Sequence, residues 1–224
     1  MSKRALGWYR RKLRRRHVAF AYDMAKEIAN YLGRGQQVID IGCGNGFIAH
    51  HLSALLATPV IGVDIFDQPE APIAYGQFDG ERLSAYADDS FDAALLCYVL
   101  HHCQDIEALL AEVARVVRPG GQVVIYEDLP TTSFDRLLCW RHDRAWRSRS
   151  GNSSFFDAET WPKIFSQAGF TLKRARGLSR LRDINHPVDR RLYLLEVKRD
   201  HVSRIRSSIT ASPSRSSGEI LTAR

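Results

Sequence analysis

Three glycines in the first quarter of the chain have the spacing of a cofactor-binding loop. Gly42, Gly44 and Gly46 directly follow the apolar stretch Val38–Ile41, which contains Asp40. Glycines lack a Cβ atom, so the backbone can approach a ligand closely, and a helix that starts at such a turn offers free N–H groups. The Gly-x-Gly-x-Gly spacing is one residue shorter than the dinucleotide fingerprint, which favours a ligand without a pyrophosphate. We therefore predict a cofactor at this turn.

A carboxylate stands where it can complete that site. Asp64 ends the next apolar stretch, Val60–Asp64, about twenty residues after the glycines. At the end of a strand, a carboxylate can accept hydrogen bonds from both hydroxyl groups of a ribose. The loop and the acid together predict a cofactor that contains an adenosine.

Two potential acid–base groups follow later apolar stretches. His102 comes shortly after Phe91–Tyr98, and Glu127 comes directly after Val123–Tyr126. Imidazole and carboxylate groups can accept a proton from a reacting molecule or orient it. We name both as candidate catalytic residues, with a structural helix cap as the alternative for His102 and a solvated surface acid as the alternative for Glu127. We expect the neighbouring His101 to be structural.

An aromatic and cationic segment follows these groups. Trp140 and Trp146 could wall an apolar pocket, and Arg144 could bind an anionic group there. The alternative is a helix that packs its aromatic face on the sheet. In the same segment, we expect His142 to be solvated.

The elements that must position these residues can be read from the sequence. Short apolar stretches alternate along the chain with segments of helical periodicity, and this pattern predicts an α/β fold with a parallel sheet. The predicted strands are Val38–Ile41, Val60–Asp64, Ala74–Phe78, Phe91–Tyr98 and Val123–Tyr126, and the predicted helices are Phe47–Leu56 and Asp105–Val117. Arg118-Pro119-Gly120-Gly121 should turn the chain from a helix into a strand. Asp157 should cap a helix that ends near Gly169. Thr171–Leu178 and Leu192–Val197 should close the sheet as an antiparallel pair.

The pattern divides the chain into three parts. Residues 1–33 form a basic arm and cap helix, residues 34–198 form the α/β domain with a lid-like insertion at 131–156, and residues 199–224 form a Ser/Arg-rich tail that we expect to be disordered. The four cysteines include no CxxC pair, so we predict no metal site and no disulfide framework, and we expect a cytoplasmic location.

The formal net charge of +7 is unevenly distributed. Residues 1–16 hold eight Lys or Arg and no acid, whereas residues 17–134 carry a net charge of −11 and residues 135–197 one of +6. An acidic first half does not favour a polyanionic partner there. Residues 3–16 are instead a candidate for peripheral contact with an anionic membrane.

The glycine loop, Asp64 and further blocks together resemble the class I S-adenosylmethionine-dependent methyltransferases, in particular the type 11 methyltransferase domain. The resemblance is close over about residues 37–124. The further blocks, in the order and spacing of the family, are Phe78-Asp79-Gly80-Glu81-Arg82-Leu83, Asp89-Ser90-Phe91-Asp92, Val99-Leu100-His101-His102 and Leu110 to Gly121. The resemblance implies a Rossmann-like seven-stranded sheet, mostly parallel with the last strand antiparallel, and helices on both faces.

The resemblance also assigns roles within the cofactor site. It places the methionine part of S-adenosylmethionine against the glycine loop, with Asp40 at its base, and the ribose on Asp64. Ile65 would pack on the adenine, Asp79 and Gly80 would meet the adenine edge, and the Cys97 carbonyl would accept from the amino group.

The expected function is methyl transfer to a small, partly apolar molecule. The alternatives are a methyltransferase that acts on a nucleic acid or protein through the basic arm, and a non-catalytic module that binds S-adenosylmethionine. The Asn/Asp-Pro-Pro-Tyr/Phe motif typical of amino methylation is absent after the fourth strand, where Cys97-Tyr98-Val99-Leu100 stands. A nucleic-acid partner is therefore not favoured. The oligomeric state is not predicted.

Overall fold

A computed structural model describes residues 3–180 and 186–198, with side chains from residue 14 onward. The predicted disordered tail, 199–224, and the side chains of most of the basic arm lie outside the described residues.

The described chain alternates helices and strands in the predicted order. The elements are α1 (Lys3–Ala29), β1 (Val38–Ile41), α2 (Phe47–Leu56), β2 (Val60–Asp64), β3 (Ala74–Gln77), β4 (Phe91–Cys97), a 3₁₀ turn (Leu100–His102), α3 (Ile106–Val116), β5 (Val117–Leu129), α4 (Ser133–Ser150), α5 (Thr160–Gln167), β6 (Phe170–Leu178) and β7 (Asp189–Val197). No helix in this part of the chain combines the length and hydropathy that a membrane span requires.

The seven strands form one mixed sheet in the order β3-β2-β1-β4-β5-β7-β6. The pairs from β3 to β5 are parallel, while β7 runs antiparallel to both β5 and β6. This confirms the predicted fold class, including the reversed last strand. The strand order reverses between β1 and β4, and in open α/β sheets such a reversal leaves a crevice at the carboxyl ends of the strands.

Helices cover both faces of the sheet. Residues of α1 and α2, such as Met24 and Leu52, pack on one face with Val38, whereas α3 and α5 pack on the other face with Ile39. Every residue of β1 is buried, as expected for a central parallel strand that has apolar neighbours on both sides. The central strand is thereby held rigidly beneath the glycine loop that follows it.

The Pro/Gly segment that was predicted to be a turn lies within β5. Val117 pairs with Phe91 and Gln122 with Ala93, so four residues of β5 bulge opposite Asp92. The bulge needs glycine, because a Cβ at Gly121 would lie 2.7 Å from the Asp92 carbonyl oxygen. The strand is therefore much longer than the predicted Val123–Tyr126, since pairing with β4 begins before the bulge.

Candidate active site

The glycine loop joins β1 to α2 through left-handed backbone conformations. Gly42 has φ +69° and Gly44 has φ +55°, values that favour glycine. A Cβ at Gly42 would lie 2.4 Å from a methyl carbon of Val99, whereas a Cβ at Gly44 would have no atom within 4 Å. The loop is therefore packed at Gly42 and borders open space at Gly44.

Asp64 connects this loop to β2. Its Oδ2 accepts a hydrogen bond from the Gly44 backbone N–H at 2.7 Å, and its Oδ1 accepts one from the Ile65 N–H at 2.7 Å. The side chain is buried but lines the cavity described below. An ionised carboxylate has about four acceptor positions, so these bonds leave acceptor capacity for ribose hydroxyl groups.

Asp40 lies beneath the loop with unused acceptors. The residue is 1% exposed, and neither carboxylate oxygen makes a well-formed hydrogen bond with a described residue. Burial, together with the charge of Asp64, raises the pKa of Asp40 to about 7. Unpaired buried carboxyl groups are costly, and Asp40 is not itself among the residues that line the cavity described below.

A cavity of about 480 Å³ opens at the carboxyl ends of the strands. It contains nine of the residues predicted for the site, which are Gly42, Gly44, Asp64, Ile65, Asp79, Gly80, Cys97, His102 and Trp146. Asp79 is oriented by the backbone N–H groups of Arg82 and Glu81, which donate to its Oδ1 at 2.6 and 2.8 Å and hold the pKa of its carboxyl below the ordinary range. The structure thus brings residues from β1, β2, β3, β4 and α4 to one site.

Gly46 lies outside this cavity. It has φ +77° at the start of α2, and a Cβ there would lie 3.0 Å from Ile73 and from Pro69. The backbone conformation and the packing require glycine here, and Gly46 does not line the cavity with the other glycines predicted for the cofactor site.

Glu127 does not reach the cavity either. It is fully buried, and it accepts hydrogen bonds from the Leu100 N–H at 2.9 Å and from the His101 ring at 2.6 Å. Burial lowers the pKa of His101, but the charge and hydrogen bond of Glu127 outweigh this effect and raise it. Glu127 therefore holds the 3₁₀ turn, and its buried side chain does not line the cavity beside which it was predicted to act.

His102 does line the cavity, and it is paired with His142. Their Nε2 atoms are 3.0 Å apart, so one ring donates and the other accepts. Burial is the main cause that lowers the pKa of His102 to about 3 and that of His142 to about 4. The pair is therefore neutral near pH 7, and the expectation that His142 is solvated is wrong.

The predicted substrate residues on α4 are divided between two faces of the helix. Trp146 lines the cavity, but Trp140 is 53% exposed, and the Arg144 guanidinium lies over its ring at 5.7 Å. Residues four apart share a helix face, whereas six residues turn the chain to another face. Trp140 and Arg144 are therefore not brought to this cavity.

Several lining residues escaped the sequence-based prediction. On α4, His142 and Ser150 stand four residues before and after Trp146 and share its face. That spacing was a usable signal. Tyr98 also lines the cavity and has φ +62°, a strained conformation for a non-glycine residue. Only the tertiary structure reveals that feature.

The known proteins that are similar to this chain include methyltransferases, which agrees with the geometry of the cavity. A family model described as a methyltransferase domain matches residues 9–175. It is methyltransferase domain 23, whereas the sequence resemblance named the type 11 domain.

Two curated proteins match part of the chain. A sterol 24-C-methyltransferase from Aspergillus fumigatus is 31% identical over 122 residues, which are 48% of this chain and 32% of that protein. A ubiquinone biosynthesis O-methyltransferase from Rhizobium etli is 31% identical over 128 residues, which are 48% of this chain and 50% of that protein. The match thus spans half or less of the length of these relatives.

The fold is shared with a solved S-adenosylmethionine-dependent methyltransferase from Methanosarcina mazei. The TM-score is 0.60 at 20% identity, over 76% of this chain and 96% of that one. The chain therefore belongs to the methyltransferase-domain family, with the class I fold whose methyl donor is S-adenosylmethionine.

Proposed function

We propose that the protein transfers the methyl group of S-adenosylmethionine to a small, partly apolar molecule. The observation that carries this proposal is a single continuous cavity. It is lined both by the glycine loop and Asp64, which we assign to the donor, and by His102, His142 and Trp146, which we assign to the acceptor. A donor site and an acceptor site that share one cavity can hold two reactants in contact, which is the main requirement of a direct displacement.

The residues present fit the cofactor. The open space beside Gly44, the unpartnered oxygens of Asp40 and the remaining acceptor capacity of Asp64 supply a backbone cradle and two carboxylates. When bound, S-adenosylmethionine supplies the methyl group of its sulfonium, and the rest of the cofactor leaves as a neutral thioether. Asp64 would hold the ribose, and Ile65 and Asp79 would hold the adenine.

The other end of the cavity supports a role for histidine as a proton acceptor. The neutral pair of His102 and His142 can accept a hydrogen bond from a hydroxyl or amine of the acceptor, and one of the Nε2 atoms can receive its proton. Trp146 forms an apolar wall beside the pair, with its ring 5.7 Å from the ring of His102. This surface suits a molecule with one polar group on an apolar frame.

The charges around the cavity argue against a polyanionic acceptor. Among the described lining residues, Arg149 is the single Lys or Arg, whereas Asp64, Asp79 and Glu81 are acidic. Nucleic acids are normally bound through many Lys or Arg contacts to phosphates. The names of the two curated relatives, a sterol and a ubiquinone-pathway methyltransferase, support a small acceptor but differ in the acceptor atom, carbon in one and oxygen in the other.

Transfer of a labelled methyl group tests the proposal. Full-length protein would be incubated with methyl-labelled S-adenosylmethionine and, in separate reactions, with hydroxylated aromatic or isoprenoid compounds, oligonucleotides and unrelated proteins. We expect label only in small-molecule products. Label in nucleic acid or protein alone, or cofactor binding without transfer to any acceptor, would contradict the proposal.

The cofactor site has its own test. Asp64→Ala should weaken the binding of S-adenosylhomocysteine, measured by calorimetry, by about 1–3 kcal/mol, because it removes the ribose acceptor and leaves the Gly44 N–H unpaired. Asp67→Ala is the matched control, since Asp67 is exposed and lies outside the cavity. Equal affinity of the two variants would show that Asp64 does not hold the cofactor.

A further inference from the structure

Three imidazole rings from two elements meet at the acceptor end of the cavity. His101 and His102 belong to the 3₁₀ turn, and His142 belongs to α4. One ring nitrogen of each lies within 4.8 Å of the others. We call these three residues the histidine cluster. Two of them, His102 and His142, line the cavity, and the third is buried behind them.

His101 has an unused nitrogen held in one orientation. Its Nδ1 is 2.6 Å from Glu127 Oε2, while its Nε2 is buried and makes no hydrogen bond with a described residue. The ring of Phe155 stacks on His101 at 4.7 Å and restricts its rotation. A histidine that donates one ring N–H to a carboxylate and leaves the other nitrogen for a ligand is the usual arrangement at metal centres.

His102 is oriented in a similar way. Its Nδ1 lies 3.1 Å from Ser150 Oγ and 3.3 Å from Ser153 Oγ, which leaves Nε2 for contacts within the cluster. That Nε2 is 3.0 Å from Nε2 of His142. Two nitrogens bound to one zinc ion at 2.0–2.1 Å lie roughly 3.3 Å apart in tetrahedral geometry. The pair is therefore already close to the separation that a shared metal ion requires.

The composition of the cluster indicates the kind of ion. Three imidazole nitrogens without a carboxylate in the ligand set suit zinc and similar divalent transition metals better than magnesium or calcium, which prefer oxygen ligands. Three protein ligands leave one position open, as in catalytic zinc sites. Here that position would face the cavity.

We propose that His101, His102 and His142 form a binding site for a divalent transition-metal ion of the zinc type, next to the methyl-transfer site. The ion would take the position of the proton shared by the rings. If the proposed function is correct, the ion's open position would bind an oxygen or nitrogen of the acceptor and lower its pKa. With zinc on the ring nitrogens, the acceptor's proton would pass to solvent water and not to His102 or His142. Binding of the ion itself does not depend on that function.

Metal binding to the full chain, produced without a polyhistidine tag and stripped with a chelator, tests the proposal. After zinc is added back and the excess ion is removed by gel filtration, we expect elemental analysis to find one zinc ion per chain. Cobalt(II) should give the intense visible absorption of a four-coordinate site with nitrogen ligands. No retained zinc, or a cobalt spectrum that matches the hydrated ion, would overturn the proposal without reference to any variant.

Substitutions locate the ion. His142→Gln should weaken zinc binding by about tenfold or more, and Glu127→Gln, which alters the partner of His101, should weaken it about 10- to 100-fold. His50→Gln and His186→Gln are matched controls. His50 is exposed on α2, and His186 is paired with Asp128 although its ring lies 5.5 Å from His142.

Affinity for S-adenosylhomocysteine, measured on the same samples, separates the two proposals. The His142→Gln variant should retain this affinity, because the cofactor residues lie toward the other end of the cavity. Zinc binding that is unchanged in His142→Gln, or equally lost in His50→Gln, would overturn the metal site. If the unsubstituted protein does not bind S-adenosylhomocysteine, the proposed function is overturned but the metal site is not.

Discussion

At the scale of single residues, the region around the glycine loop combines a left-handed backbone with acidic side chains. Gly44 adopts a conformation that favours glycine and donates its N–H to Asp64, while the carboxyl of Asp40 lies beneath the loop without a well-formed hydrogen bond. A buried carboxyl without a partner is costly. In the proposed function, a cofactor beside the loop would offset this cost by offering donors to the acids.

Gly44→Ala should abolish or strongly weaken binding of S-adenosylhomocysteine while the protein remains folded. The new Cβ would enter the open space that borders the cavity, and φ +55° should cost about 1–2 kcal/mol of stability. Gly35→Ala is the matched control, because Gly35 has φ +78° and nothing within 4 Å but lies outside the cavity. Both variants should lose similar stability in urea titrations, and only Gly44→Ala should lose affinity in calorimetry. If Gly44→Ala binds the ligand as Gly35→Ala does, the loop is not the cradle.

Asp40 should make the stability of the cofactor-free protein depend on pH. Its pKa in the folded protein, about 7, is above the ordinary value of 3.8, so the folded state binds a proton more tightly than the unfolded state. The free energy of unfolding should therefore fall, through this group, as the pH rises from about 4 to about 7. Asp40→Asn removes this contribution but preserves the shape.

Urea unfolding of both proteins at several pH values measures the effect. The stability of Asp40→Asn relative to the unsubstituted protein should increase as the pH rises. His102 and His142, with lowered pKa values, affect both proteins alike and in the opposite direction, because their contribution is lost as the pH falls. A difference that stays constant with pH would show that folding does not raise the pKa of Asp40.

At the scale of elements, the orientation of α4 determines which of its side chains line the cavity where we place the acceptor. Its N-terminus is held by a capping box, in which Thr132 and Asp135 exchange hydrogen bonds, and by Arg180, which pairs with Asp135. With the helix anchored in this way, His142 and Trp146 face the cavity, and Trp140 faces solvent. A rotation of the helix by about 100°, one residue, would change this set of residues.

Trp146→Ala should raise KM for the acceptor by roughly tenfold, equivalent to about 1.4 kcal/mol, because it removes an apolar wall of the acceptor site. Affinity for S-adenosylhomocysteine should change little. Trp140→Ala, on the exposed face of the same helix, should leave KM unchanged. Steady-state kinetics with a soluble acceptor would compare the two variants, and equal effects would remove α4 from the acceptor site.

At the scale of the whole molecule, the basic residues of the N-terminal arm are separated along the chain from the residues that line the cavity. Residues 1–16 carry eight positive charges, whereas residues 17–134, which supply the cofactor end of the cavity, carry a net charge of −11. No residue of the basic arm is among the described residues that line the cavity. An association of this arm with anionic membranes, as expected from the sequence, would leave the chemistry of the cavity unchanged.

Deletion of residues 2–12 should leave kcat/KM for a soluble small acceptor within about twofold of the full chain, because the described lining of the cavity begins at Gly42. Binding to vesicles that contain anionic lipid should weaken, since five Lys or Arg are removed. Kinetics at low and high salt, together with vesicle sedimentation, would measure both effects. If the deletion abolishes activity and the full chain shows a steep salt dependence, a polyanionic acceptor would explain the data better.

The sequence by itself determined the order of the elements, the position of the glycine loop and most of the residues that line the cavity at the predicted cofactor site. Gly44 and Asp64 were found because their roles depend on local properties, namely a turn that only glycine fits and an acid at the end of a strand. Strands β1 and β2 were predicted to their last residue for the same reason, since apolar runs and the breaks between them are visible along the chain.

Only the tertiary structure decided which side chains face the acceptor. Glu127 is buried and Trp140 is exposed, while His142, forty residues from His102, pairs with it. These outcomes depend on how α4 and β5 pack against elements distant in sequence, and local periodicity cannot report the rotation of one element against another. The histidine cluster arises in this way, because packing brings His142 of α4 to the adjacent pair His101-His102, to which no sequence motif connects it.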